Sequence, residues 1–74
     1  MVNSSMRYTI EYLRESGQAE SVCHTVQLDC GTLEDVGNRA FADAPWARRF
    51  HGANGFQIRD AEYANVVVAL EKLD

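Results

Sequence analysis

The sequence predicts a small α+β protein in which an antiparallel sheet is covered on one face by a single helix, in the order β-β-α-β-β. Two segments of alternating apolar and polar residues near the start of the chain are typical of half-buried strands. A segment in the middle of the chain instead repeats its apolar residues at helical spacing. A β-β-α-β-α order is the alternative, because the last apolar segment fits either kind of element.

The first two strands are predicted between Met6 and Leu13 and between Ser21 and Leu28. In the first strand the inward face carries Met6, Tyr8, Ile10 and Tyr12. In the second strand the inward face carries Val22, His24, Val26 and Leu28, while Cys23, Thr25 and Gln27 face outward. The polar segment from Glu15 to Glu20 contains a glycine and is expected to form the hairpin loop between them.

The helix is predicted from an N-cap at Thr32 to Ala44, because Glu34 and Asp35 supply the negative charge that the first turn of a helix favours. Its apolar stripe consists of Leu33, Val36, Gly37, Ala40, Phe41 and Ala44. Pro45 is expected to end the helix, since proline disfavours helical geometry in the residue before it. Pro45 is also suited to begin a separate short helical turn through Phe50.

Two further details of this helix are expected. Asp35 and Arg39 stand four residues apart, a spacing at which oppositely charged side chains pair on a helix. Gly37 lies inside the apolar stripe, although glycine destabilises a helix interior relative to alanine. We therefore predict an Asp35–Arg39 ion pair and a close approach between helix and sheet at Gly37.

The last two elements follow a loop from Gly52 to Gly55. Phe56 to Asp60 alternates as a third strand, with Phe56 and Ile58 inward. Three consecutive valines from Val66 favour a fourth strand, with a turn over residues 61–65 before it. The same region also fits a helical face, formed by Tyr63, Val66, Val67, Leu70 and Leu73.

The length of 74 residues leaves room for one hydrophobic core, so we expect a single domain over residues 6–74. Met1 to Ser5 is polar and lacks the basic and apolar regions of a secretion signal, which predicts a disordered tail. The apolar run from Val66 to Leu70 is far shorter than the roughly 20 residues that a membrane-spanning helix needs. We therefore expect no membrane contact and a cytoplasmic location.

The strongest candidate for a binding site combines aromatic rings and cations in the glycine-rich region after the predicted helix. It consists of Trp46, Arg48, Arg49, Phe50, His51 and Asn54. Arginine offers planar donors for phosphate or carboxylate, and an aromatic ring can stack on a base. We favour a structural interpretation, in which Trp46 and Phe50 plug the open end of the sheet, because no glycine-rich phosphate-binding motif accompanies the arginines.

Metal binding and thiol catalysis have less support. Zinc would need ligands from Cys23, His24, Cys30 and His51, but neither CxxC nor HxxxH spacing is present. We expect free thiols at both cysteines, since two are too few for a disulfide-built mini-protein. We assign no catalytic residue, no metal ligand and no cofactor.

The preferred functional hypothesis is a non-enzymatic interaction module that forms a homodimer or docks a protein partner. A domain this small has little volume for an enclosed pocket of about 300 Å³, so surface recognition is favoured over catalysis. The alternative is binding of an anion or single-stranded nucleic acid at the loop from Trp46 to Asn54, although a net charge of −4 disfavours broad contact with phosphates. A thiol-dependent or metal-dependent enzyme ranks last.

Overall fold

A computed structural model of the chain describes residues 7–29, 31–61 and 66–73. Its elements are β1 (Tyr8–Ser16), β2 (Ala19–Leu28), α1 (Leu33–His51), β3 (Gly55–Asp60) and β4 (Val66–Lys72). The strands form one antiparallel sheet in the order β2-β1-β3-β4. The predicted α+β fold and its β-β-α-β-β order are confirmed, and the alternative prediction of a helix in place of β4 is wrong. Tyr63 and the predicted tail from Met1 to Ser5 lie outside the described residues.

The core lies between α1 and one face of the sheet. The central strands supply its large side chains, among which Ile10, Tyr12, Phe56 and Ile58 are at most 1% exposed. The helix contributes one valine and three alanines to the same cluster, namely Val36, Ala40, Ala44 and Ala47. Small helical residues opposite large strand residues let the helix backbone lie close to the sheet and fill the space between the layers.

A β-bulge in β2 interrupts the predicted alternation of inward and outward side chains in that strand. His24 pairs with Tyr12, but Val22, rather than Cys23, pairs with the next residue of β1, Leu13. The extra residue moves side chains on its far side to the opposite face of the sheet. Cys23 therefore packs against the core and Val22 is 47% exposed, so both predictions for these residues are wrong.

The hairpin between β1 and β2 is tighter than predicted. The strands continue to Ser16 and Ala19, so the turn consists only of Gly17 and Gln18 rather than the whole segment from Glu15 to Glu20. Gly17 adopts a φ of 65°, which glycine reaches without the steric cost that a side chain brings.

The start of α1 is confirmed, with a capping box at Thr32. The Asp35 backbone N–H donates to the Thr32 hydroxyl at 3.1 Å, and the Thr32 N–H donates to the Asp35 carboxylate at 3.3 Å. Arg39 pairs with Asp43 instead, at 2.7 Å, so the predicted Asp35–Arg39 pair is wrong. The carboxylate of Asp35, which was predicted to pair with Arg39, thus caps the helix instead.

The predicted end of the helix at Pro45 is also wrong, because α1 continues to His51. Proline removes one helical hydrogen bond, but Pro45 lies on the exposed side, where the backbone can tilt toward water. Ala47 is fully buried two residues later and holds the following turn against the sheet. The helix is capped by Gly52 at a φ of 72°, whose N–H bonds to the Arg48 carbonyl at 3.1 Å.

The buried stripe of α1 is narrower than predicted. Leu33 and Phe41 are 39% and 51% exposed, and burial is confined to the valine and alanines of the core. A Cβ placed on Gly37 would meet no heavy atom within 4 Å outside its own helical backbone and chain neighbours. The predicted close approach at Gly37 is therefore wrong. Glycine lowers helix stability at this position, and no contact explains its presence.

Replacing Gly37 by alanine should raise the free energy of unfolding by about 0.5–1 kcal/mol, because alanine favours the helix and the added methyl group enters open space. Gly52→Ala is the matched control and should lower stability, since Gly52 has a positive φ and a Cβ there would lie 3.2 Å from Cδ of Arg14. Urea unfolding of both variants measures the difference. A loss of stability in Gly37→Ala would contradict the open geometry described here.

Candidate functional site

The six predicted site residues do not form one surface. Five of them lie on the last two turns of α1, and only Asn54 lies in the loop that follows. Trp46 contacts the ring of His24 on β2, whereas Arg48 lies on the opposite flank of the helix, where it lines an open groove toward β4. Because residues two apart are separated by about 200° around a helix, the continuation of α1 through Pro45 separates this indole from this guanidinium.

The flank of α1 toward β2 carries a cluster of rings formed by His24, Trp46 and His51. The two imidazoles stack with their centroids 4.5 Å apart and their planes 9° from parallel. The indole lies edge-on to both, at 5.0 Å from each imidazole centroid. His24 and His51 are 27 positions apart in the sequence, so their contact depends on the packing of helix on sheet and had no local sequence pattern.

Exposed aromatic surface continues from this ring cluster toward solvent. Trp46 is 46% exposed and Phe50 is 63% exposed, with 5.7 Å between their ring centroids. The Arg49 guanidinium carbon lies 5.7 Å from the Phe50 centroid, within the range of a cation–π contact. The predicted plug at the open end of the sheet is therefore only partly buried, and it presents rings and one cation on a single flank.

Asn54 holds the loop to two strands. Its backbone N–H donates to the Leu13 carbonyl, and its carbonyl accepts from the N–H of Leu73, both at 2.7 Å. The side-chain carbonyl of Asn54 also accepts from the N–H of Glu15 at 2.7 Å. These three bonds tie the start of β3 to β1 on one side and to Leu73 on the other.

The flank of α1 toward β4 forms one wall of an open groove of about 440 Å³, lined by Phe41, Ala44, Pro45, Arg48, Lys72 and Leu73. Four of these residues belong to the helix and two to the end of the chain. Arg48 was a predicted site residue, but Lys72 was not, because it reaches the groove only through the pairing of β4 with β3. Lys72 pairs with Gly55, which places its side chain on the sheet face away from the helix, so Arg48 is the cation of this mostly apolar groove.

Another arginine, Arg59 of β3, lies on the sheet face away from the helix. Its guanidinium donates to the Glu11 carboxylate at 2.9 Å, and Gln57 donates to the same oxygen at 2.6 Å. Partial burial acts to raise the pKa of Glu11, but these hydrogen bonds and the charge of Arg59 outweigh it and hold that pKa below its usual value. The stability from this group is present at neutral pH and is lost as the pH falls through the lowered pKa.

The edge strand β4 exposes four apolar side chains on the two faces of the sheet: Val66, Val67, Val68 and Leu70 are 39–59% exposed. No other strand within residues 7–29 and 31–61 pairs with the side of β4 that faces away from β3. A register shift leaves Val68 as an extra residue in the pairing with β3. Apolar side chains and unpaired backbone groups therefore share one edge of the sheet.

Tyr12 joins the two layers at the centre of the molecule. Its hydroxyl donates to the Ala40 carbonyl at 2.7 Å, across 28 positions of sequence. Burial, with a smaller contribution from the negative charge of Asp43, raises the pKa of Tyr12 to about 12. The hydroxyl therefore stays protonated, and able to donate, throughout the neutral pH range.

No family of known proteins matches this chain, and neither curated proteins nor solved structures include a significant match. Among the described residues, no helix is both long and apolar enough to cross a membrane. The same residues contain no group of three or more His, Cys, Asp or Glu side chains placed to hold a metal ion. Cys23 forms no disulfide there, and Cys30 lies outside the described ranges.

Tyr12→Phe should lower the free energy of unfolding by about 1 kcal/mol at neutral pH, because it deletes the hydrogen bond to Ala40 while keeping the ring. The raised pKa also makes the wild-type protein lose stability as the pH rises from about 10 to about 12, whereas phenylalanine has no such loss. The gap between the two proteins should therefore narrow over that interval. Urea unfolding at several pH values measures this, and a gap independent of pH would contradict the assignment.

Proposed function

We propose that the protein is a non-enzymatic interaction module that forms a homodimer through β4. The observation that supports this most directly is the exposed apolar row of Val66, Val67, Val68 and Leu70 on an edge strand. Natural proteins commonly protect edge strands with charges, prolines or cover from another element. An edge that keeps several exposed aliphatic side chains is typical of a surface that another chain covers.

A second copy is the partner that this edge fits best. In a symmetric dimer the same edge meets itself, so the exposed apolar side chains of β4 on one copy are buried against those of β4 on the other. The two charges at the end of β4, Glu71 and Lys72, are opposite in sign, so the strand is locally neutral although the chain carries −4. Neutrality at the contact reduces the repulsion between two acidic copies.

Burial of side chains is expected to contribute more to this association than backbone pairing. The extra residue at Val68 interrupts the regular ladder, and such bulges limit how far a new strand can extend an edge. Leu70 is the most exposed of the row, at 59%, and should therefore gain the most from cover. A domain of 74 residues has a thin stability margin, to which dimerisation adds.

We further propose a cytoplasmic setting, because two cysteines do not supply a disulfide framework and a reducing compartment would keep both thiols free. Self-association without a cofactor or metal fits that setting. Docking of a different protein on β4 remains the other form of the same hypothesis, and the oligomeric state distinguishes the two.

Leu70→Lys should convert the dimer to a monomer, because it places a charge at the most exposed apolar position of β4, which the dimer would bury. Val22→Lys is the matched control: Val22 is 47% exposed on β2, at the opposite edge of the sheet, and its replacement should leave the dimer intact. Size-exclusion chromatography with light scattering over a concentration series measures the mass, and circular dichroism checks that each variant folds. A monomeric wild-type protein at every concentration, or equal dissociation of both variants, would refute the dimer.

A second candidate is binding of single-stranded nucleic acid on the flank that carries Trp46, Phe50 and Arg49. Exposed rings beside a cation can stack on bases and neutralise a phosphate, which favours this function. The net charge of −4 and the position of Arg48 on the other flank count against it.

Titration with an unstructured oligonucleotide at low salt should change the fluorescence of Trp46, the only tryptophan in the chain, if this second candidate holds. Arg49→Gln should weaken the response, and Arg48→Gln should leave it unchanged, because only Arg49 lies beside the exposed rings. Added salt should reduce binding through counterion release. A flat titration would eliminate this function.

A further inference from the structure

We infer that the groove between α1 and the end of β4 binds a small amphiphilic carboxylate, a ligand with an aliphatic or aryl body and one carboxylate group. The groove is the one lined by Phe41, Ala44, Pro45, Arg48, Lys72 and Leu73. It lies on the opposite flank of α1 from the ring cluster, and its proposed ligand does not depend on dimer formation.

The body of the ligand is indicated by the apolar part of the groove. Phe41 is 51% exposed and rests edge-on against Phe56 of the core, with 5.0 Å between the ring centroids. Pro45 offers a rigid apolar ring one turn further along the helix, and Leu73 faces both from the end of the chain. These side chains already expose apolar surface to water, so an aliphatic chain laid between them releases water from both partners.

The carboxylate is indicated by the cation at the groove, Arg48. Arg48 has no ion pair with a carboxylate in the described part of the chain, whereas Arg39 and Arg59 both do. A cation beside the groove raises the local potential in a chain whose net charge is −4. A guanidinium can hold a carboxylate through two parallel hydrogen bonds.

A monoanion fits this position better than a phosphate. Arg48 stands in the last turn of α1, where the backbone carbonyls give the helix end a partial negative charge. That charge opposes a dianion more than a single carboxylate, and among the described residues no helix N-terminus or glycine-rich loop lines the groove to offer a cradle of N–H groups. Mostly apolar walls also favour a ligand that is mainly hydrocarbon.

The volume and openness of the groove set the expected size and affinity. About 440 Å³ lies within the range of small-molecule sites, roughly 300–1,000 Å³. Because one side opens to solvent, only part of the ligand surface is buried, and we expect a dissociation constant on the order of 1 mM for an eight-carbon acid. Octanoate is therefore a suitable probe, and 1-octanol is its uncharged counterpart.

Titration of the ¹⁵N-labelled protein with octanoate should shift the backbone amides of Phe41, Arg48 and Leu73, and leave those of Thr25 and Gln27 on β2 in place. Octanol should bind at least about fivefold more weakly, and added salt should weaken octanoate alone, because only the acid pairs with the guanidinium of Arg48. Equal affinity for acid and alcohol, shifts confined to other surfaces, or no shift at all would overturn the proposal.

Arg48→Gln should weaken octanoate binding at least about fivefold, while Arg49→Gln, the neighbouring arginine on the solvent side, should retain wild-type affinity. The spectra themselves report whether each variant is folded. Equal loss in both variants would refute the site. Light scattering on Arg48→Gln should give the wild-type mass, since Arg48 is not in β4, so failure of ligand binding and failure of dimerisation are distinguishable.

Discussion

The hydrogen bond from the Tyr12 hydroxyl to the Ala40 carbonyl fixes how the two layers of this protein meet. It forms because Ala40 has a small side chain, which lets a helix carbonyl come within reach of a ring on the central strand. The neighbouring ring of Phe56 packs edge-on against Tyr12, so the bond lies inside a filled core. This contact sets the position of α1 over the sheet, and therefore the position of its two flanks. The ring cluster lies on one flank and the open groove on the other.

The elements that sequence predicted well are those whose pattern is local. Tyr8, Ile10 and Tyr12 alternate without interruption, and Thr32 with Asp35 forms a cap whose two bonds lie within four residues. Two errors arose where tertiary contacts override a local rule. One extra residue in β2 exchanges the faces of Val22 and Cys23 without any glycine or proline to mark it. Burial of Ala47 keeps the helix intact beyond Pro45, against the local preference of proline to end it.

The candidate site likewise combines residues that are close in the sequence with residues that only the fold brings together. Sequence grouped Trp46 with Arg48 because they are neighbours in a segment that was predicted to be irregular. Because α1 continues through that segment, helical geometry places the two side chains on opposite flanks. A prediction of one continuous helix would have shown this separation. The partners that complete each flank are His24 and Lys72, and they come from strands far away in the chain. Only the packing of the sheet under the helix could identify them.

The bulge in β2 gives Cys23 an unusual position for a residue on an edge strand. Its thiol packs against the core instead of facing water, although its backbone belongs to the outermost strand of the sheet. A reagent or oxidant in solution reaches a half-covered sulfur most readily when the strand detaches at that point. The reactivity of this thiol therefore depends both on its partial exposure in the folded strand and on local fraying of the hairpin, so stronger pairing of β2 with β1 should slow its labelling.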